Sequence, residues 1–522
     1  MKKWLAGTLA TVLIALSLWG CSSKNEPSAS SSAPASAGSS QPAPEKKEEK
    51  TIEFLTVTPY YITAMKEAAE EYTKLHPETK VKISVVPADP TSYKTNFDAK
   101  MNAGGEDAPD IIHTNLLGDL TELIQKGWVA KLNDFVTEPN PYNGGVTVFD
   151  GIDENYHQYS YDREGNVGNI PFDLVGTGFF YNKDIFAKLG LSEPTTWEAL
   201  FETSKKLKEA GYIPIATPFL FEGWMHSAFV DWAGRSLYKD LLILPGDARY
   251  DEKIHKRNTE IGSPDSSPDF DFGAVIDPEK QILAWKNKLY DNQGAAEKKY
   301  WSVLKELSQY YEPGYATMDD KSVYGLFISQ KAAIFWNGSW QVGSILADMK
   351  KLGDKGFKWG TFVFPEFATP DPLFPGKPRG ILTPGHVIGL TQKKDAEKME
   401  RAKDFLKYIY SKGVAQKIFE RTLDLGEFVQ GPSLIKGVQL PDEVNAYLKG
   451  FKIQGNMSYH LQPVADGVLP GQMTAWNSNL LKYFENKIPL EQFLKNKADF
   501  VDKYMQDLIK KNNYDLDPKT NP

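Results

Sequence analysis

Thr51-Ile52-Glu53-Phe54-Leu55-Thr56-Val57-Thr58 is a short apolar β run, and the elements that follow it decide the fold. Ile62, Met65, Ala69 and Tyr72 recur at helical spacing, and His76-Pro77 closes that helix. A second β run spans 81–86. Tyr93, Phe97 and Met101 then share one helical face, which ends at Gly104-Gly105. Asp110-Ile111-Ile112-His113-Thr114 is a third short strand, followed by a helix around 120–126. Alternating β and α elements with short connections predict a parallel sheet covered on both faces. Ligands of such sheets bind beyond the carboxyl ends of the strands, so 58–61 and Thr114-Asn115 are expected at a rim.

The chain has 522 residues, 41% of them hydrophobic, more than one core of roughly 250–300 residues accommodates, so two folded units are expected. Sixty Lys+Arg against 68 Asp+Glu give a net charge of -8, which argues against nucleic-acid binding. Cys21 is the only cysteine, so intramolecular disulfides, cysteine zinc sites and iron–sulfur clusters are excluded. Residues 1–20 have the form of an export signal, with Lys2 and Lys3 before an apolar stretch too short to span a bilayer. Leu18-Trp19-Gly20-Cys21 resembles the lipobox of bacterial lipoproteins, with Trp19 as a departure. That resemblance implies a diacylglycerol and a fatty acid such as palmitate on Cys21, enough for a stable outward-facing anchor. Nineteen of the 23 residues 22–44 are Ser, Ala, Pro or Gly, so 21–50 is expected to be a solvated tether reaching roughly 30 Å.

Further along come Asn169-Ile170-Pro171-Phe172-Asp173, a strand ending in Tyr181-Asn182-Lys183, and Gly190. Pro194-Thr195-Thr196-Trp197-Glu198 then opens a helix over 197–210, with Thr195 and Glu198 at capping-box spacing. This order, with Ser329-Gln330-Lys331-Ala332-Ala333-Ile334, Asn337-Gly338-Ser339-Trp340 and Gly385-His386-Val387-Ile388-Gly389-Leu390, resembles the family 1 extracellular solute-binding proteins. Ala402, Phe405, Leu406 and Ile409 match the long helix that follows in that family, and the resemblance covers roughly 51–510. It implies two doubly wound α/β lobes joined by hinge strands, the periplasmic binding protein-like fold of type II. Lobe 1 is expected to comprise 51–172 and 360–384, and lobe 2 to comprise 173–359 and 385–512. A polar insert near 241–277 departs from the family pattern.

The resemblance also implies a monomeric receptor, not an enzyme, that binds an oligosaccharide between its lobes and delivers it to an ABC permease without a cofactor or metal. Sugars stack their apolar C–H faces on aromatic rings while carboxylates and amides bond the polar rim. Trp340 occupies the family's Asn-Gly-x-Trp position and is the expected stacking platform, a core role being the alternative. Glu222 and Trp224 follow a strand at 213–217 and stand where the family places an acid and an aromatic. Trp476 resembles a third aromatic position. Tyr60 and Tyr61 follow the first strand, one toward the cleft and one packing. Asn115 is a rim residue, beside Thr114 where the family often carries an aromatic ring. Asp173 at the first hinge either reaches a sugar hydroxyl or caps a turn, and His386 and His226 are cleft-adjacent or structural. Asp265, Asp269 and Asp271 miss the EF-hand spacing. Metalloprotease, nucleophile-elbow and P-loop motifs are absent from the sequence. A glycosidase or lyase held at the surface, or a polymer-binding adhesin, are the alternatives.

The lipid anchor has a direct test. Cys21→Ser is expected to give an unprocessed or released form that no longer partitions into detergent. A variant that stays membrane-bound and correctly processed overturns the anchor.

Overall fold

Eleven strands sort into two sheets among the described residues of the computed structural model, which are 50–58, 60–87, 90–162, 164–219, 222–260, 275–451, 454–456 and 473–520. In chain order the strands are β1 (Lys50–Thr58), β2 (Thr79–Pro87), β3 (Ile111–His113), β4 (Ile170–Pro171), β5 (Leu174–Asn182) and β6 (Ile213–Ala216). They continue as β7 (Ala332–Gly338), β8 (Trp359–Phe362), β9 (Gly380–Pro384), β10 (Val387–Leu390) and β11 (Gln454–Asn456). The first sheet has the order β2-β1-β3-β10-β4, and the second has β11-β9-β5-β7-β6 with β8 also on β5.

The first sheet is built as the opening periodicity requires. β1 runs parallel to β2, from Lys50 opposite Thr79 to Thr58 opposite Pro87, and parallel to β3 at Phe54–Ile111. The helix Ile62–Leu75 buries Ala64, Met65, Ala68, Ala69 and Tyr72, the three- and four-residue spacing of one face. The helix Pro90–Asn102 buries Tyr93, Phe97 and Met101. One expectation fails: the sheet is mixed. β10 enters from the other lobe and runs antiparallel to both β3 and β4, Ile388 standing opposite His113 and Ile170.

That strand also corrects the lobe boundaries. Residues 360–384, expected in lobe 1, lie in the second sheet, where β8 and β9 pair antiparallel with β5. Residues 387–424, expected in lobe 2, complete the first lobe. The helix Ala396–Ile409 packs on the first, with the Phe405 and Tyr72 rings 5.1 Å apart. The C-terminal part returns to the second lobe. Its helices Met473–Phe484 and Leu490–Asn512 pack on Ala295–Ser308, whose Trp301, Leu304 and Leu307 are buried. There Lys497 Nζ donates to Glu297 Oε1 at 2.7 Å with both side chains fully buried, and Trp301 Nε1 donates to Glu297 Oε2.

Two local expectations shift. The helix Trp197–Glu209 is capped by Thr196, whose hydroxyl accepts from Ala199 N, and not by Thr195. Glu198 instead accepts from Ala368 N, tying the helix to the loop beyond β8. The insert is an ordered lobe as far as it is described. An antiparallel bridge of Leu242 with Ile276 closes its base, and the Asn258 amide donates to the carbonyls of Ile243 and Val275 from the helix Glu252–Glu260. Asp265, Asp269 and Asp271 lie outside the described residues, as does Cys21.

Glu312 sits buried beside the carboxyl end of β6, where Thr217 N donates to its Oε2 at 3.2 Å. Burial raises its carboxyl from 4.5 to about 7. The folded chain therefore holds this proton more tightly than the unfolded chain does. The associated stability is complete below pH 4.5 and is lost as pH rises through about 7, on the order of 3 kcal/mol in all. Tm is expected to fall from about pH 5 to about pH 8 more steeply in the wild type than in Glu312→Gln. Equal slopes in calorimetric scans would refute this assignment.

Candidate functional site

Three chain segments cross between the lobes side by side. Phe172 N donates to His386 O at 2.8 Å, and Gly385 N donates to Asp173 O at 3.0 Å, which joins the first crossing to the second. Leu174 N donates to Pro432 O and Leu434 N to Phe172 O, both at 3.0 Å, which joins the first to the third. The third crossing, 430–434, carries no sequence signal of the kind that marks the other two, and the reading of the sequence missed it.

Asp173 lies at the centre with no exposed surface. Its Oδ2 accepts from Tyr61 OH at 2.7 Å and from His386 Nδ1 at 3.0 Å, and its Oδ1 accepts from His386 N at 2.6 Å. A carboxylate only accepts, so the His386 proton is on Nδ1, leaving Nε2 to face the Gln430 amide at 3.5 Å. His113 stands 4.8 Å from the His386 ring; burial, then that neighbour, hold it well below the usual imidazole range. Gly385 is required here, because a Cβ would overlap the Gln430 side chain and stand 2.8 Å from Asp173 Oδ1. Tyr61 is left-handed at φ 55, a strained state for a non-glycine residue, of order 1–3 kcal/mol. Its ring is fixed among Phe419, His386 and Phe172, with centroids 5.1, 5.2 and 5.8 Å away.

Tyr60, beside Tyr61 in the chain, is half-buried and lies edge-on to His386 at 5.6 Å. Burial, with the carboxylates of Asp320 and Asp173, keeps its hydroxyl protonated well above the ordinary tyrosine range. Asp320 belongs to the second lobe, so its charge acts on Tyr60 from the other lobe. Asp320 opens the helix Asp320–Ile328, whose N-cap is its neighbour Asp319. Its carboxylate accepts from Asn337 Nδ2 at 2.7 Å and Gln341 Nε2 at 3.3 Å, and burial raises its pKa. The sequence signal for Asp320 was a doubled acid at a helix start, where capping uses only one.

Trp340 follows β7 and is the N-cap residue of the helix Gln341–Leu352. It is half-buried, and its ring lies edge-to-face with Trp224 at 5.6 Å. The indole folds back over Gly338, where a Cβ would overlap the six-membered part of the ring. Between them Ser339 is clamped to the hinge, donating to Gln430 O at 2.7 Å and accepting from Gly176 N at 3.1 Å. Ring position is therefore coupled to the crossings.

The expected site residues fall into two sets. Trp224 and Trp340 stand together, and Tyr60 stands against His386 at the hinge. Tyr61, Asp173 and His386 do not offer themselves to a ligand: their polar atoms bond one another, because a buried carboxylate needs donors more than a turn needs a cap. Asn115 is exposed, and its amide donates to Gly385 O at 2.9 Å, which steadies the second crossing. Trp476 is 3% exposed and packs 5.9 Å from both Trp301 and Phe493, a core placement that corrects the expected ligand contact. His226 is likewise structural, with Nε2 2.8 Å from Tyr300 OH. Glu222 opens the helix Glu222–Gly234, and its side chain lies outside the described residues.

Comparison with known proteins agrees with this architecture. The "Multiple sugar-binding protein" of Streptococcus mutans serotype c is 24% identical over 402 residues, 76% of this chain and 78% of that one. The sn-glycerol-3-phosphate-binding periplasmic protein UgpB of Rhizobium meliloti is 26% identical over 184 residues, 32% of this chain and 40% of that one. The GacH receptor of Streptomyces glaucescens GLA.O, solved unliganded and with acarbose, shares the fold with a TM-score of 0.56 at 16% identity, covering 88% of this chain and 99% of that one. No helix among the described residues is long and apolar enough to cross a membrane. The sequence model of one family, bacterial extracellular solute-binding protein, matches residues 58–416, and the chain belongs to that family.

Proposed function

We propose that this outward-facing solute-binding protein takes an oligosaccharide between its lobes and presents the loaded form to an ABC permease, as a monomer held to the membrane by lipid on Cys21 and performing no chemistry. The observation that carries the proposal is the Trp224–Trp340 pair, 5.6 Å apart, beside the Asp320–Asn337–Gln341 array. Two ring faces with fixed acceptors and amides match a ligand with apolar C–H faces and a hydroxyl rim. A sugar-binding relative and an acarbose-binding structural neighbour support the same chemistry. A glycerol phosphate, as in the UgpB relative, would place its charge against Asp320 with no cationic side chain among the groups described at this cleft.

Raffinose, maltotetraose, xylotetraose and chitotetraose in a thermal-shift panel test the ligand class. A cognate sugar at a hundredfold excess over Kd adds about 2.7 kcal/mol of stability. A shift with sn-glycerol 3-phosphate and none with any sugar overturns the reading. With the cognate sugar in hand, Trp340→Ala is expected to weaken calorimetric binding by about ten- to two-hundredfold, on the order of 1–3 kcal/mol, at an unchanged Tm. Gly338→Ala should reproduce part of that loss by lifting the indole. A collapsed melt would make Trp340 a core residue, and unchanged affinity in a stable variant would end its stacking role.

A further inference from the structure

The second lobe meets the first at a place that none of the three crossings reaches. Lys511, in the last turn of the helix Leu490–Asn512, forms an ion pair with Glu122, in the first turn of the first lobe's helix Leu120–Gln125. The insert makes a second contact: a Cβ on Gly165 would stand 3.1 Å from Ile254 Cδ1. Burial, then the Asp251 carboxylate of the insert, raise the pKa of Tyr161, which opens the turn that carries Gly165.

Each side of this contact is tied into one body. On the first lobe, Gln125 Nε2 donates to Glu164 Oε1 at 2.5 Å, joining the helix of Glu122 to the turn at Gly165. On the second lobe, the tail that follows Lys511 holds the insert. Ala248 N donates to Pro518 O at 2.8 Å, Lys519 Nζ donates to Gly246 O at 3.0 Å, and the Arg249 guanidinium lies 5.3 Å over the Tyr514 ring. The ion pair and the apolar contact therefore form and break together.

Three observations mark the contact as one that parts. The helix Leu120–Gln125 covers the sheet face formed by Leu55, Val57 and Ile112. The helix Lys412–Asp424, which leads into the third crossing, covers the opposite face, that of Ile52, Phe54 and Ile111. A rotation of the lobes about the crossings thus reaches the contact through a long lever. The pair is also wet: its Lys511 and Glu122 side chains are 60% and 37% exposed, against 0% for both members of the Glu297–Lys497 pair inside the second lobe. Separating charges that already face water strands neither, whereas separating a buried pair leaves an uncompensated charge. Finally, the walls do not fill the space between them. A cavity of about 380 Å³ lies between 158–165 and the insert, where a permanent interface would be close-packed.

We propose that the insert and the C-terminal tail act as a latch, in which the Glu122–Lys511 pair and the seat of Ile254 on Gly165 hold the lobes closed on each other and release when they part. Contacts made in one arrangement only shift the balance between arrangements, whatever the solute. Exposed ion pairs are individually weak, so the pair is expected to change the closed-to-open ratio about two- to fivefold and not to lock the receptor. A solute that binds the closed form gains affinity from the latch, because that form is already more populated.

Single-molecule energy transfer between dyes on Lys74→Cys in the first lobe and Lys205→Cys in the second reads both populations in the solute-free Cys21→Ser chain. Lys511→Glu is expected to lower the closed-to-open ratio, Lys511→Ala to lower it less, and Glu122→Lys combined with Lys511→Glu to restore it. Both Lys511 variants keep the 4.0 Å pair that Glu122 makes with Lys126 on its own helix, so they report on the contact between lobes. A ratio that neither Lys511 variant changes overturns the latch. A ratio lowered by Lys511→Glu and left low by the exchanged pair also overturns it, because residue 122 is then not the partner. The measurement uses no solute, so a failed sugar panel leaves it readable, and a failed latch leaves the sugar reading intact.

Discussion

The buried carboxylate of Asp173 is the constraint on which the two-lobed arrangement rests. A charge without exposed surface is tolerable only when its oxygens are met by donors, and here the donors come from the end of β1 and from the second crossing. Satisfying Asp173 therefore fixes where Tyr61 and His386 stand. Tyr61 accepts a left-handed backbone to reach it, and Gly385 gives up a side chain to let the strands approach. Removing one partner from such a group typically costs roughly 3–5 kcal/mol, so the hinge tolerates little substitution at its centre.

The cleft inherits its division of labour from this hinge. The second lobe carries both indoles and the Asp320 array, while the first contributes Tyr60 from the residue adjoining strained Tyr61. On the proposed function a sugar ring settles on the second lobe and closure brings Tyr60 to it. Ser339 links the two events, because its hydroxyl binds the third crossing at Gln430 while its neighbour is Trp340.

Much of the first lobe was legible in the sequence, because its helices are written in three- and four-residue apolar spacing and closed by Gly104-Gly105 and His76-Pro77. The strand that ends in the Asn-Gly-Ser-Trp turn was legible too, because the apolar run 332–336 stops at a glycine. Lobe membership of 360–424 was not. Strand pairing between β10 and β3 joins residues far apart in the chain, and no local pattern names a partner. Trp476 shows the same limit in a side chain: a helical tryptophan at core spacing and one aimed at a ligand look alike until its neighbours are known. Glu312 and the crossing at 430–434 left no signal, because burial and backbone pairing are products of the assembled fold.

The position of β10 between β3 and β4 bears on how the chain is made. The first sheet stays split, with β4 unattached to β3, until residue 390 has left the ribosome. Neither lobe is contiguous, since the second also waits for its closing helices Met473–Phe484 and Leu490–Asn512. Such distant pairings must close long loops before they gain contacts, which slows folding. A nascent chain of this topology spends its synthesis without a finished domain, its apolar sheet faces uncovered until the last helices arrive.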